Sequence, residues 1–372
     1  MSVGLEATLA RFDSEVFPYL AAGGTEVQFV FGANGRGKTH YLLAVEAAAR
    51  RKGFVTARID CPVGASPFGS LRTTYEMVAT SLAAPSDPAA VAEAGVASIV
   101  RTAFANGAAA SAAEVVAGIK ASKHLCPEFR NLVLAYGRGC TDDNITESVR
   151  SDLEALLAGS QTRTVTVGSL YRSDKTLPRP LGRISARNAA NWLRSLLSLP
   201  YALGYPGVLI MFDETERAFH RLNARALQEQ LAHLRNIVDY CALGAFGGCL
   251  IMYAAAEDFI DLSRQHLDAL AQRIEPPTLL KGPFPSSIRS VWTDLDDLTD
   301  PQTSDQAFFV TLADRIVDIG LESGLTDASA RRIGAALAKD SAKFASSPTS
   351  AIVREFVKRT ATAVLLEVKG RG

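Results

Sequence analysis

The run Gly32-Ala33-Asn34-Gly35-Arg36-Gly37-Lys38-Thr39 limits what this chain can fold into more than any other feature. It matches G-x-x-x-x-G-K-[ST] and lies between a short β-branched and aromatic run, residues 26–31, and a stretch of helical periodicity, residues 39–51. Strand, glycine-rich loop and helix in that order make a phosphate-binding loop. The glycines let backbone N–H groups turn toward an anion, and the helix N-terminus adds partial positive charge. Lys38 is placed to neutralise β- and γ-phosphates and the Thr39 hydroxyl to ligate Mg²⁺. His40, next in the chain, is grouped with residues 32–39 as a nucleotide contact. The expected ligands are ATP and Mg²⁺.

A P-loop requires acids to complete it, and Val208-Leu209-Ile210-Met211-Phe212-Asp213-Glu214 supplies them: apolar residues ending in two carboxylates. Such a strand delivers acids to the C-terminal edge of a parallel sheet, where open α/β folds bind ligands. Asp213 is assigned to the metal and Glu214 to the attacking water. Glu216 reads either as an acid supporting this site from behind or, the preferred reading, as an N-terminal acid favoured by the dipole of the following helix. Arg273, in HLDALAQRIEPP, is a candidate to neutralise charge on a transferring γ-phosphate, and Arg331 and Arg332 are weaker candidates for a second phosphate sensor.

Alternating patterns set the fold class as α/β, with a parallel sheet flanked by helices. A helix over residues 4–21 precedes the first strand. Residues 54–60 and 247–255 read as further buried strands, with helices over 68–82 and 186–199 and a long helix from 215 to about 240. Residues 84–160 are alanine-dense and amphipathic, and read as a helical insertion. Residues 160–183 carry five basic residues and two prolines and read as an extended loop, a solvated segment or a nucleic-acid or partner contact. Past the proline-rich stretch at 276–285 only helical periodicity remains. The organisation expected is therefore an ATPase domain over 1–285 and a smaller all-helical, lid-like domain over 286–372.

The 39 basic and 39 acidic residues among 372 cancel, so no global positive field marks a protein that coats nucleic acid by charge alone. The five cysteines are scattered, without C-x-x-C pairs or His at metal-ligand spacing, and indicate neither a zinc site nor a disulfide framework. A cytoplasmic setting is expected, with no membrane-spanning run and no signal peptide.

Several segments together resemble AAA+-type ATPases, and more closely the ATP-binding proteins (BrxD-like) of bacteriophage-exclusion (BREX) defence systems. They are VQFVFGANGRGKTHYL, FVTARIDC, FGSLRTTYEMVATSL, CPEFRNLVLAYGRG and LGYPGVLIMFDETER with its helix to Asn236-Ile237-Val238-Asp239, over about residues 20–275. The resemblance implies a Mg-ATP hydrolase of AAA+-like fold in anti-phage defence, forming homo-oligomers and acting on DNA or with a partner helicase. It departs at one point. Where such ATPases present a polar Thr or Asn after the strand ending at Tyr253, this chain reads Ala254-Ala255-Ala256-Glu257-Asp258, so an acid substitutes or the sensor is absent. That departure suits an alternative, an ATP-dependent regulatory switch with little turnover. A small-molecule kinase is a third reading, but no acceptor pocket is legible.

Overall fold

A computed structural model describes residues 5–33, 35–63, 66–85, 94–105, 111–142, 145–160, 166–275, 292–295, 305–345 and 352–369. Among them six strands form one sheet: β1 (Thr25–Phe31), β2 (Val55–Asp60), β3 (Leu82–Ala83), β4 (Val208–Asp213), β5 (Cys249–Ala255) and β6 (Trp292–Asp294), in the order β3-β2-β4-β5-β1-β6. All are parallel except β3, which runs antiparallel to β2 at the edge.

Helices cover both faces, which is why the central strands β4, up to Asp213, and β5 are apolar along their length rather than alternating. Val208, Ile210 and Phe212 of β4 point to one face with Phe29, Ile251 and Tyr253. There they meet the helices Leu71–Ser81, Ala189–Ala202, Ala224–Ala242 and Asp258–Ile274. Leu209 and Met211 point to the other, against Tyr41, Leu42 and Val45 of the helix Lys38–Arg51 and Phe12, Val16 and Phe17 of the N-terminal helices. The N-terminal helical segment holds a π-helical stretch, Phe12–Val16, in which the Phe17 N–H reaches the Phe12 carbonyl. Pro18, which lacks an N–H and crowds the preceding turn, accounts for that widening.

The turn into β4 explains the LGYPG sequence. A Cβ on Gly207 would lie 2.2 Å from the Gly248 carbonyl oxygen, so the two backbones pass too closely for any side chain. That approach sets register, with Val55 N–H bonded to Gly207 O at 3.1 Å and Val208 N–H to Gly248 O at 2.8 Å.

Residues 84–160 include four helices, Val96–Phe104, Ala112–Ala121, Pro127–Thr141 and Glu147–Leu157. Ser111 and Glu114 form a capping box at the second, and Thr146 caps the fourth. Their buried side chains, among them Ile99, Phe129, Leu132 and Leu153, join the same core as the sheet.

Three expectations change. The long helix over 215–240 is broken: Thr215–Phe219 is 3₁₀, Arg221 takes a left-handed φ of 64°, and the α-helix starts only at Ala224, capped by Asn223. The loop over 160–183 contains a short helix, Val167–Ser173, capped by Thr166, which seven residues with a valine and a glycine do not announce. The sheet also continues past residue 285, because β6 pairs with β1 and Gln28 Nε2 donates to Thr293 Oγ1 at 2.6 Å. The proline-rich stretch 276–285 lies outside the described residues.

Asp305–Glu322, Asp327–Ala345 and Ile352–Lys369 form a helical unit with its own core around Phe309, Leu312, Ile316, Ile333 and Phe356.

Candidate nucleotide site

The loop after β1 is shaped by its glycines. Gly35 and Gly37 have φ of 89° and 96°, in the left-handed region that a β-carbon disfavours. Nothing lies within 4 Å of a Cβ built on Gly37, so the requirement there is conformational rather than spatial. Gly37 precedes the helix Lys38–Arg51, aiming that helix N-terminus at the loop.

Lys38 is only 8% exposed. Its ammonium donates to the Gly32 carbonyl at 2.7 Å and the Ala33 carbonyl at 3.4 Å, and it pairs with no carboxylate among the described residues. A buried charge without a counter-charge is costly. Thr39 and His40 are exposed in the first helical turn, and Arg36 is exposed in the loop, its N–H bonded to Ala33 O at 3.2 Å. Asn34 lies outside the described residues.

Asp213 ends β4 on the same edge of the sheet. Register places β5 alone between β1 and β4, with Phe31 opposite Ala255 and Phe212 opposite Tyr253. Loop and acid are thus two strand spacings, about 10 Å, apart across the sheet. Asp213 is 3% exposed, and its Oδ1 accepts the Glu214 N–H at 2.9 Å.

Glu214 sits in left-handed conformation, φ 52° and ψ 43°, unusual for a residue with a side chain. Such strain is characteristic of sites where surrounding structure holds a group in place. Its carboxylate forms an ion pair with Arg217. Burial raises its pKa above the ordinary carboxylate value; Arg217 opposes this, while Asp213, Glu216 and Asp60 reinforce it.

Of the two readings of Glu216 the preferred one fails, and sequence reasoning passed over Asp60 and Cys61. Glu216 is not explained by a helix dipole, since no α-helix starts there; its Oε2 accepts the Ala256 N–H at 3.2 Å, joining the turn after β4 to the end of β5. Asp60 pairs in register with Asp213, and the Cys61 N–H bonds to Asp213 O at 3.0 Å. Burial, then the negative charge of Asp213, Glu216, Asp60 and Glu214, pushes the Cys61 thiol up. The signal was the strand FVTARID itself, which ends in an acid as β4 does.

Arg273 lies elsewhere. It forms an ion pair with Asp239, near the end of the helix Ala224–Ala242, and donates to Ala269 O at 2.6 Å. That helix is the crossover returning from the C-terminal edge of β4 to the start of β5, so Arg273 stands toward the opposite edge from Lys38. Arg332 pairs with Glu367 within the C-terminal helices, and Arg331 is exposed.

A parallel sheet with a glycine loop and buried lysine at one strand end, and carboxylates two strands away on the same edge, has the form of a P-loop nucleotide-binding α/β protein. The chain belongs to the BREX system ATP-binding protein BrxC/D family, whose model matches residues 1–360. A search among curated proteins finds no match. No helix among the described residues is long and apolar enough to cross a membrane.

Proposed function

We propose that this chain is a Mg-ATP hydrolase of AAA+-like architecture that works in anti-phage defence, in the cytoplasm, as a homo-oligomer acting on DNA or with a partner helicase. The observation carrying the reading is Lys38, a buried ammonium that among the described residues bonds only to the carbonyls of its own loop, at a helix N-terminus. The β- and γ-phosphates of ATP are the counter-charge such a group lacks. Asp213 and Thr39 suit Mg²⁺, which takes one or two protein oxygens and completes its shell with phosphate and water. The metal would polarise the phosphates; Glu214 orients the attacking water, and Arg273 contributes to a neighbouring subunit's site. The central position of β5 between the loop and acidic strands supports the AAA+-like reading.

A regulatory switch with little turnover is the second reading. Two observations favour it: Glu214 is engaged by Arg217, and the end of β5 offers an alanine backbone where a polar sensor is expected.

The test is ATP binding and turnover by purified protein, alone and with DNA, beside Lys38→Ala and Glu214→Gln. Loss of binding in the first and retained binding without turnover in the second support the hydrolase. Tight binding with no turnover under any condition supports the switch, and ATP affinity surviving Lys38→Ala would remove the site assignment.

A further inference from the structure

Although the chain is neutral overall, residues 172–187 concentrate five cations, Arg172, Lys175, Arg179, Arg183 and Arg187, against one acid, Asp174. All five are exposed, while Leu177, Leu181 and Ile184 between them are buried in the main core. The segment is therefore a strap, pinned by apolar side chains and holding its charges outward.

Polar contacts keep it in place. Tyr171 Oη donates to Pro178 O at 3.3 Å and accepts the Leu181 N–H at 2.6 Å, while the Arg179 guanidinium lies 4.3 Å from the Tyr171 ring centroid. Asn131 donates to Pro180 O at 3.0 Å and Arg138 to Thr176 Oγ1 at 2.9 Å, fastening the strap to the helix Pro127–Thr141; the charge of Arg138 is itself paired with Asp142 at 3.2 Å, so it serves as an anchor rather than as a further free cation. The lone acid is occupied locally: Asp174 accepts the Thr176 N–H at 2.7 Å and its hydroxyl at 2.6 Å. The side chains of Arg172, Lys175, Arg183 and Arg187 form no ion pair or hydrogen bond with a described residue, so their charge is free to act outward.

We infer that this strap is a docking surface for the phosphate backbone of duplex DNA, read without regard to base sequence. Arginine dominates it, and the guanidinium fork matches phosphate oxygens. Cations at intervals of three or four residues along an irregular segment of turns and bends, all exposed, distribute the charge over several positions rather than one pocket. The strap's one aromatic side chain, Tyr171, is capped by Arg179 and bonded through its hydroxyl, which leaves no open ring on the strap for unstacked bases and disfavours single strands. Beneath the strap, Phe129 packs edge-on against Trp192 at 5.4 Å, and Trp192 against Tyr75 at 5.8 Å, so the helix that carries the strap is packed onto the helices flanking β4 and β2. This inference rests on the proposed action on DNA and names the surface that performs it.

The experiment is fluorescence anisotropy of a labelled 30-base-pair duplex of arbitrary sequence, without nucleotide, from about 50 to 200 mM salt. Full-length wild type, Lys175→Ala/Arg183→Ala/Arg187→Ala and Lys38→Ala are compared. The triple variant spares Arg179 and the anchoring contacts, and its thermal midpoint should match wild type. Five phosphate contacts predict a log–log salt slope of about −4.5 and a loss of affinity of about 500-fold over that range. The triple variant should fall to a slope of about −2, and the single-stranded oligonucleotide should bind more weakly than the duplex. Wild-type binding by a folded triple variant, no duplex binding by the wild type, or preference for a poly-glutamate competitor over duplex would each overturn the inference, the last pointing to an acidic protein partner. Binding retained in Lys38→Ala keeps this result separate from the ATPase reading, because an inactive nucleotide site would leave the strap intact.

Discussion

The carboxylate of Glu214 is paired with the guanidinium of Arg217, three residues on, in the short 3₁₀ segment that Glu214 precedes. The residue assigned to the attacking water is thus held by a cation of its own turn. Burial raises the Glu214 pKa and Arg217 lowers it. The ionised form is the competent one, so turnover should fall as pH drops through this raised pKa. Arg217→Ala removes the opposing cation, and the acid limb of the pH–rate profile should move to higher pH. At alkaline pH the freed carboxylate should raise turnover by up to about fivefold, the equivalent of a partly exposed ion pair worth up to about 1 kcal/mol. A plateau that falls instead would mean that Arg217 positions Glu214 rather than restrains it.

Glu216 ties the turn after β4 to the N–H of Ala256. Hydrogen bonds to charged groups contribute about 1.5–3 kcal/mol, and this one is partly exposed, so Glu216→Ala should cost about 1.5 kcal/mol in chemical denaturation. Glu216→Gln, which keeps an acceptor oxygen, should cost less than half as much. Equal losses in both variants would show that charge, not the hydrogen bond, joins the two strand ends.

Gly207 passes the Gly248 carbonyl too closely for a side chain. Gly207→Ala should therefore destabilise the domain by at least about 2 kcal/mol, since backbone rather than a flexible side chain must give way. Gly37→Ala has open space and meets only a conformational cost of about 1–2 kcal/mol, yet it should weaken ATP binding far more than Gly207→Ala does. Comparing denaturation midpoints with ATP affinity for the two variants separates a packing glycine from a binding glycine.

Arg273 is bound to Asp239 at the far end of the crossover helix from Asp213. If it serves a neighbouring subunit, Arg273→Ala should be inactive alone and regain turnover when mixed with Lys38→Ala, because mixed interfaces then combine an intact loop with an intact arginine. Absence of rescue at every mixing ratio would confine Arg273 to its pairing with Asp239.

The candidate nucleotide site was read from local signals. A phosphate loop needs its glycines and lysine within one turn of chain, and a central parallel strand needs an unbroken apolar run, so residues 32–39 and Asp213-Glu214 declare themselves without a partner in view. Helix bounds near 38–51 and 189–202 were approached for the same reason, through periodicity and caps. The break at 215–223 was not legible, because the apolar and polar spacing through Leu222 fits a helix; only the left-handed residues Glu214 and Arg221 interrupt it. β6 has three residues and gains its place only by pairing with β1.

From its own residues, then, the chain declares an α/β class, a glycine-rich loop of the phosphate-binding pattern and a strand ending in acids, since each depends on covalent neighbours and on hydrophobic period. Tertiary structure decided the rest: that β5 alone separates loop from acid, that Glu216 reaches the end of β5, that Glu214 meets Arg217, and that Arg273 faces Asp239. Except for the Glu214–Arg217 turn, these pairings join residues far apart in sequence, and their geometry follows from strand order and crossover packing, which no local window contains.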